Sequence, residues 1–234
     1  VLRLFVPVRP AGDGTIRVSG AELRHLRTLR LQPGDRFRLF DESGAEHEVE
    51  LERVAAREAV VRVVGTSVET RESRLDLHLA VALLKQDKMD WVVEKATELG
   101  AVRVLPLLTR YVVGRGSHLE RWRRIAVAAA KQSGRTRIPT VDAPASFASF
   151  LARDDHGTGL LAWEDESARR LGDLASDLVR VTITIGPEGG FAPDEVAAAR
   201  AAGFTTVTLG RRVLRAETAA VVAAALCQHR WGDG

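Results

Sequence analysis

A chain of 234 residues with 45% hydrophobic and 28% charged residues has room for one large or two small cores, and its composition is neither disordered nor fibrous. Its apolar runs are too short to span a membrane, and its single cysteine, Cys227, can form no internal disulfide and suits a reducing compartment. The six histidines are scattered without metal-ligand spacing, so no metal is expected, and a net charge of +3 is only a weak pointer to an anionic partner. The opening VLRLFVPVRP carries Arg3 and Arg9 and lacks a small-residue cleavage site after a long apolar core, so no secretory signal and a cytoplasmic protein are expected.

In chain order, SGAELRHLRTLRLQPGD reads as a short helix opened by Ser19 or Gly20 and closed by the Pro33-Gly34 turn. From Arg36 to Gly65 short runs alternate apolar and polar residues between Gly-containing turns, which predicts a small antiparallel barrel or sheet. The polar stretch TSVETRESR is the best linker, with a boundary near Thr70. Beyond it strands and helices alternate, as in an α/β domain with a largely parallel sheet. RLDLHLAVALL predicts a strand, KMDWVVEKATELG a helix ended by Gly100, VRVLPLLT a strand, and LERWRRIAVAAAKQSG a helix ended by Gly134.

Charge is concentrated in two places. From Val1 to Arg38 eight arginines face Asp13, Glu22 and Asp35, a local net of +5; from Thr109 to Arg137 eight Arg or Lys face the single acid Glu120, a local net of +7. Two such stretches suit a phosphate-rich ligand gripped by two parts of the protein, although basic runs are as often solvated helix faces.

The segment VTITIGPEGGFAPDEVAAAR joins a strand to a helix through a loop with three glycines. GPEGGF has neither the Gly-Lys-Ser/Thr of a P-loop nor the G-x-G-x-x-G spacing of a dinucleotide fold, and the Glu188 carboxylate opposes a pyrophosphate. The loop suits a ligand with hydroxyls, a heterocycle and no phosphate, such as S-adenosylmethionine; on the plainer reading Gly186, Gly189 and Gly190 serve only a tight turn. VTLGRRVLRAETAA repeats the architecture, and two such loops at neighbouring carboxyl ends of parallel strands would form one crevice. Val213 and Leu214 would line an adenine slot there, or plug the core. The following helix, apolar nearly all round, must be buried within the domain or against another chain, and a homodimer interface is the expectation.

With these loops, the stretches HLRTLRLQPGD, KMDWVVEKATELG, ERWRRIAVAAAKQSGRTRIP, IGPEGGF and LGRRVLRAETA make the chain resemble the SPOUT-class methyltransferases over nearly its whole length. Among these it resembles the ribosomal RNA small subunit methyltransferase E family, which methylates N3 of a uridine in 16S rRNA. The resemblance implies a PUA-like RNA-binding β-barrel at residues 1–70 followed by an α/β trefoil-knot methyltransferase domain at 71–234, acting as a homodimer on 16S rRNA or the assembled small subunit. It implies a cofactor site at Leu161, Ala162, Glu164, Gly186, Pro187, Glu188, Gly189, Gly190, Leu209, Gly210, Arg212, Val213, Leu214 and Thr218. Ala192, where a Ser or Thr cap would be comfortable, and the loosely matching TRYVVG depart from the pattern.

Uracil N3 carries a proton and is a poor nucleophile until that proton leaves, so a base or charge-stabilising donors are needed. Arg215 is the candidate to stabilise charge on a uracil oxygen and Glu217 the candidate base, or the group orienting Arg215; the alternative is a structural pair at a helix start. Arg3, His25, Arg30, Gln132 and Arg135 are candidate RNA contacts. A methyltransferase with another RNA target, a non-catalytic RNA-binding module and a nucleotide-dependent oxidoreductase remain the competing readings.

Overall fold

The computed structural model describes residues 2–41, 43–67, 71–112 and 116–234, which divide into two compact units: Val1–Glu72 with Ala130–Ile138, and Ser73–Ala129 with Pro139–Gly234. The boundary expected at Thr70, and Val113 to Arg115 of the TRYVVG stretch and its continuation, lie outside the described residues.

In the first unit β1 (Arg3–Phe5), β2 (Thr15–Val18), α1 (Gly20–Thr28), β3 (Arg36–Phe40), β4 (Glu46–Val54) and β5 (Ala59–Ser67) build a five-stranded sheet of order β1-β3-β4-β5-β2. All pairs are antiparallel except β1 with β3. The alternation in β3 and β4 puts Phe37, Leu39, Val49 and Leu51 in one core with Ile16, Leu23, Leu26 and Val61. Two register shifts, at Glu48/Val49 and Leu51/Arg53, bend β4 as bulges do. Helix α1 ends at Thr28, before the Pro33-Gly34 turn that was to close it, because Arg30 takes a left-handed φ of 54° and the Leu31 N–H donates back to the Leu26 carbonyl.

Arg3 fastens this unit. Its Nε donates to Glu46 Oε1 at 2.6 Å, and its other nitrogens donate to the carbonyls of Ala130, Lys131 and Arg135 at 3.1 to 3.2 Å. The guanidinium also lies over the Phe40 ring, 4.9 Å from its centroid. One planar fork therefore adds charged donors at the carbonyls of a helix end, where Ala130 also accepts from the Arg135 N–H.

The second unit contains β6 (Asp76–Ala82), α2 (Gln86–Glu98), β7 (Arg103–Leu108), most of α3 (Leu119–Ser133), β8 (Thr140–Val141), β9 (Ala145–Ser146) and α4 (Phe147–Leu151). Then follow β10 (Thr158–Ala162), a 3-10 turn (Leu171–Asp173), β11 (Arg180–Ile185), α5 (Pro193–Ala201), β12 (Thr205–Val207) and α6 (Ala216–Trp231). The sheet runs β12-β10-β11-β6-β7-β8, with β9 also on β7, and every pairing is parallel. Its central strands are buried on both faces, so β6 and β11 read as continuous apolar or β-branched runs. Gly159 on β10 faces the Phe204 ring so closely that a Cβ would meet it at 2.9 Å. α4, whose Ser146 cap accepts from the Ser149 N–H, has no counterpart among the elements predicted above; five residues are too few for a helical period to show.

Helix α6 buries Ala216, Ala220, Ala223, Ala224, Cys227 and Trp231, and leaves Leu226 39% exposed. Its end is tied down by Gln228, which donates to the Leu99 carbonyl and accepts from the Ser73 hydroxyl, and by Trp231, whose indole N–H donates to the Ala175 carbonyl. No helix among the described residues is long and apolar enough to cross a membrane.

Two predictions follow from this packing. Arg3→Met takes a charged donor from Glu46, which keeps Arg38, and from the carbonyls of Lys131 and Arg135, and is expected to cost roughly 2 kcal/mol in urea unfolding, whereas alanine at the exposed Arg9 should change stability by less than about 0.5 kcal/mol. His78 and His156 are buried neutral: burial pushes both imidazoles below 6.5, against the opposing carboxylate of Asp76 for His78 and the hydrogen bond to the Phe150 carbonyl for His156. The unfolded chain then binds more protons than the native one, so stability is full above pH 6.5 and is lost as pH falls through the lowered native values. The calorimetric unfolding temperature should fall between pH 7.5 and 5.5, with a shallower slope in a His78→Gln/His156→Gln variant.

Candidate active site

The carboxyl ends of β12, β10 and β11 lie side by side, and the three segments leaving them enclose a cavity of about 330 Å³. That volume is in the range that holds a drug-sized ligand. Its walls are Ala162 to Glu164 after β10, Ile185 to Glu188 with Gly190 after β11, and Thr208 to Ala216 with Ala219 after β12. The two glycine-bearing loops do meet at one crevice, but β10 stands between their strands and supplies the third wall.

The β11 loop is a tight turn in which the Gly190 N–H donates to the Pro187 carbonyl at 3.0 Å with Gly190 at φ 70°. A Cβ on Gly190 would strike the Glu164 carboxylate, and one on Gly186 would meet the Phe191 ring at 3.1 Å. Glycine thus lets backbone and carboxylate share one edge of the cavity. The turn is anchored behind by α5. Pro193 takes the first helical position, and Glu195 accepts from the Ala192 N–H at 2.9 Å, the half of a capping box that needs no hydroxyl at Ala192, and from the Arg110 N–H at 2.9 Å. In the β12 loop the Thr208 hydroxyl accepts from the Gly210 N–H, and Val213 stands 87% exposed at the rim. Such an apolar rim suits a heterocycle.

Most expected cofactor residues line this cavity: Ala162, Glu164, Gly186, Pro187, Glu188, Gly190, Leu209, Gly210, Arg212, Val213 and Leu214. Three do not. Leu161 is fully buried in the hydrophobic core, Gly189 turns its Cβ position toward Tyr111, and Thr218 is exposed on α6. Trp163, Ile185, Thr208, Arg211, Ala216 and Ala219 line it as well, beyond the predicted set.

Charges around the cavity differ from the sequence reading in two respects. Arg215 lines it with an exposed side chain, but Glu217 pairs with Lys88, 3.2 Å away, and not with Arg215. Lys88 also holds Glu188 at 2.8 Å, and this contact keeps the Glu188 carboxyl below its ordinary value. Glu188 is therefore compensated, and the case against a pyrophosphate rests on glycine spacing more than on its charge. Lys88 was read only as part of a helix. A lysine in the first turn, against the positive end of the helix dipole, was the available signal.

The candidate RNA contacts fall into two groups. Arg3 and Arg135 are engaged within the first unit: Arg3 with Glu46 and the helix-end carbonyls, and Arg135, 3% exposed, with its guanidinium on Glu72 at 2.7 and 3.0 Å. His25 is half-buried, 3.8 Å from Glu22, while Arg30 and Gln132 are exposed. Much of the basic stretch is likewise spent on ion pairs, as in Arg110 with Asp194, Arg121 with Asp90, Arg123 with Glu120 and Lys131 with Glu22.

Residues 71–228 match the family model of the RNA methyltransferase domain, and residues 18–64 that of the RNA methyltransferase PUA domain. The chain is 36% identical over 231 residues to the ribosomal RNA small subunit methyltransferase E of Synechocystis, covering 95% of this chain and 76% of that protein. It is 32% identical to the Bacillus subtilis protein of the same name, covering 89% and 88%. Its fold superposes with a TM-score of 0.93 on the Neisseria gonorrhoeae ribosomal RNA small subunit methyltransferase E bound to S-adenosylmethionine, at 31% identity and 99% and 98% coverage.

Proposed function

Since this chain belongs to the ribosomal RNA small subunit methyltransferase E family, a PUA-like domain with an S-adenosylmethionine-dependent RNA methyltransferase domain, we propose that it methylates N3 of a uridine in 16S rRNA. The observation that carries the assignment to a site is the cavity at the carboxyl ends of β10, β11 and β12, which joins glycine-backed loops to Arg215 and stands beside Glu217.

S-adenosylmethionine supplies an activated methyl on a positive sulfonium together with its own leaving group. The residues present fit it: Val213, Leu214 and Ile185 offer apolar surface for the adenine, and the Glu164 carboxylate at the Gly190 edge accepts from hydroxyls. Arg215, free of an ion-pair partner among the described residues, stabilises negative charge on a uracil oxygen, and Glu217 takes the N3 proton. The N-terminus of α6 beneath them favours negative charge at the same place.

In the same reading residues 1–70 bind RNA and 71–234 perform the transfer, with the C-terminal chain threaded as a trefoil knot. Arg24, Arg30 and Gln132 are the RNA-facing groups that their exposure supports, and the half-buried His25 is a further candidate. A homodimer is supported by the outer face of α6, where Val221, Val222 and Leu226 are only partly covered. A cytoplasmic setting follows from a ribosomal target.

In calorimetry S-adenosylmethionine should bind and NADH should not, and Gly190→Val, which drives a branched side chain into Glu164 at a left-handed φ, should weaken binding at least tenfold. In transfer assays on small subunits, nucleoside mass spectrometry should find N3-methyluridine; a ribose-methylated or other product would move the target. Glu217→Gln should lower kcat about 100-fold with the S-adenosylmethionine KM within about threefold.

A further inference from the structure

Neither Lys88 nor Glu217 lines the cavity, yet the Lys88 ammonium ties Glu217, next to the lining residues Arg215 and Ala216, to Glu188 in the cavity wall. Nζ lies 2.8 Å from Glu188 Oε1, on the β11 loop one hundred residues away, and 3.2 Å from Glu217 Oε2, in the first turn of α6. The three side chains are 26%, 34% and 15% exposed, so the cluster is shielded in part from solvent. Its neighbour on α2 behaves otherwise: Lys95 pairs with Glu94 and Glu98 of its own helix.

We propose that Lys88 is a positioning residue for methyl transfer, a clasp that holds the Glu217 carboxylate at the cavity while Glu188 anchors the clasp to the cofactor loop. The proposal rests on the reading of Glu217 as the base. Two carboxylates converging on one point repel each other unless a cation lies between them; one would turn away or take up a proton. With Lys88 between them the two carboxylates are held 2.8 and 3.2 Å from one cation and keep their aim. The contact between Lys88 and Glu188 raises the Lys88 pKa and lowers that of Glu188, in keeping with a charged pair. Lys85, at the start of α2, adds a further positive charge near Glu188.

Because the cavity walls are the loops themselves, losing the clasp should disturb the proton acceptor more than cofactor binding. A small displacement of a catalytic group costs far more rate than affinity. The test measures S-adenosylmethionine affinity by calorimetry and kcat for methyl transfer to small ribosomal subunits in Lys88→Met, Lys88→Arg, Glu217→Gln and the Lys88→Met/Glu217→Gln pair. Retained S-adenosylmethionine binding also shows that each variant is folded. Expected are a kcat loss of at least tenfold in Lys88→Met with affinity within threefold, recovery of most of the rate in Lys88→Arg, whose fork can also bridge two carboxylates, and no further loss when Lys88→Met is added to Glu217→Gln. Unchanged kcat in Lys88→Met, losses that multiply in the pair, or affinity that falls in step with kcat would each overturn the proposal. If Glu217→Gln alone keeps full kcat while the wild type methylates RNA, the assignment of the base fails and the clasp with it. An impaired Glu217→Gln with multiplying losses removes only the clasp.

Discussion

The active cavity depends on one constraint, the parallel order β12-β10-β11 with all three strands pointing the same way. Parallel pairing requires each connection to cross over, so every strand releases its chain at the same edge of the sheet. Three chain exits side by side make a crevice whatever their sequence, and this is where open α/β sheets hold ligands. The sequence then determines what each exit can be: a carboxylate after β10, a glycine turn after β11, and an apolar, arginine-rich strap after β12.

The loop after β11 illustrates how little freedom remains once the strand is placed. Gly186 has the Phe191 ring against it, Gly189 has Tyr111, and Gly190 has Glu164, three different neighbours for three glycines in five residues. Behind the turn the Glu195 carboxylate holds two backbone N–H groups from different segments, which fixes α5 and the chain at Arg110 together. The loop is thus rigid from the back and open only toward the cavity, as a binding surface must be to avoid ordering costs when its ligand arrives.

The two loops were legible because glycine clusters, strand patterns and helix starts are local features, and local features are what a sequence displays. What was not legible was adjacency. VTITI and FTTVT announce strands, but nothing in either says that TGLLA lies between them; the stretch from Leu161 to Glu164 was expected at the site only through the family resemblance. The partner of Glu217 was missed for the same reason: Arg215 is two residues away and was the natural guess, whereas Lys88 arrives from another helix. The left-handed Arg30 that ends α1 early also escaped, since arginine carries no bias toward that conformation.

Arginine counts mislead most where they look most suggestive. Thirty of the chain's 34 Lys and Arg residues are arginines, and a count along the sequence assigns the stretch from Thr109 to Arg137 a strong positive field. Folding brings acids to it from elsewhere: Asp90 meets Arg121, Asp194 meets Arg110, Glu72 meets Arg135 and Glu22 meets Lys131. Each pair cancels charge at the range where an RNA phosphate would feel it. Of that stretch only Arg124 and Arg137 are exposed with no ion-pair partner among the described residues, whereas Arg9, Arg24, Arg27 and Arg30 of the amino-terminal stretch all are. A phosphate backbone is attracted by the charge left over after folding, so the smaller of the two sequence clusters supplies the stronger candidates for RNA contact.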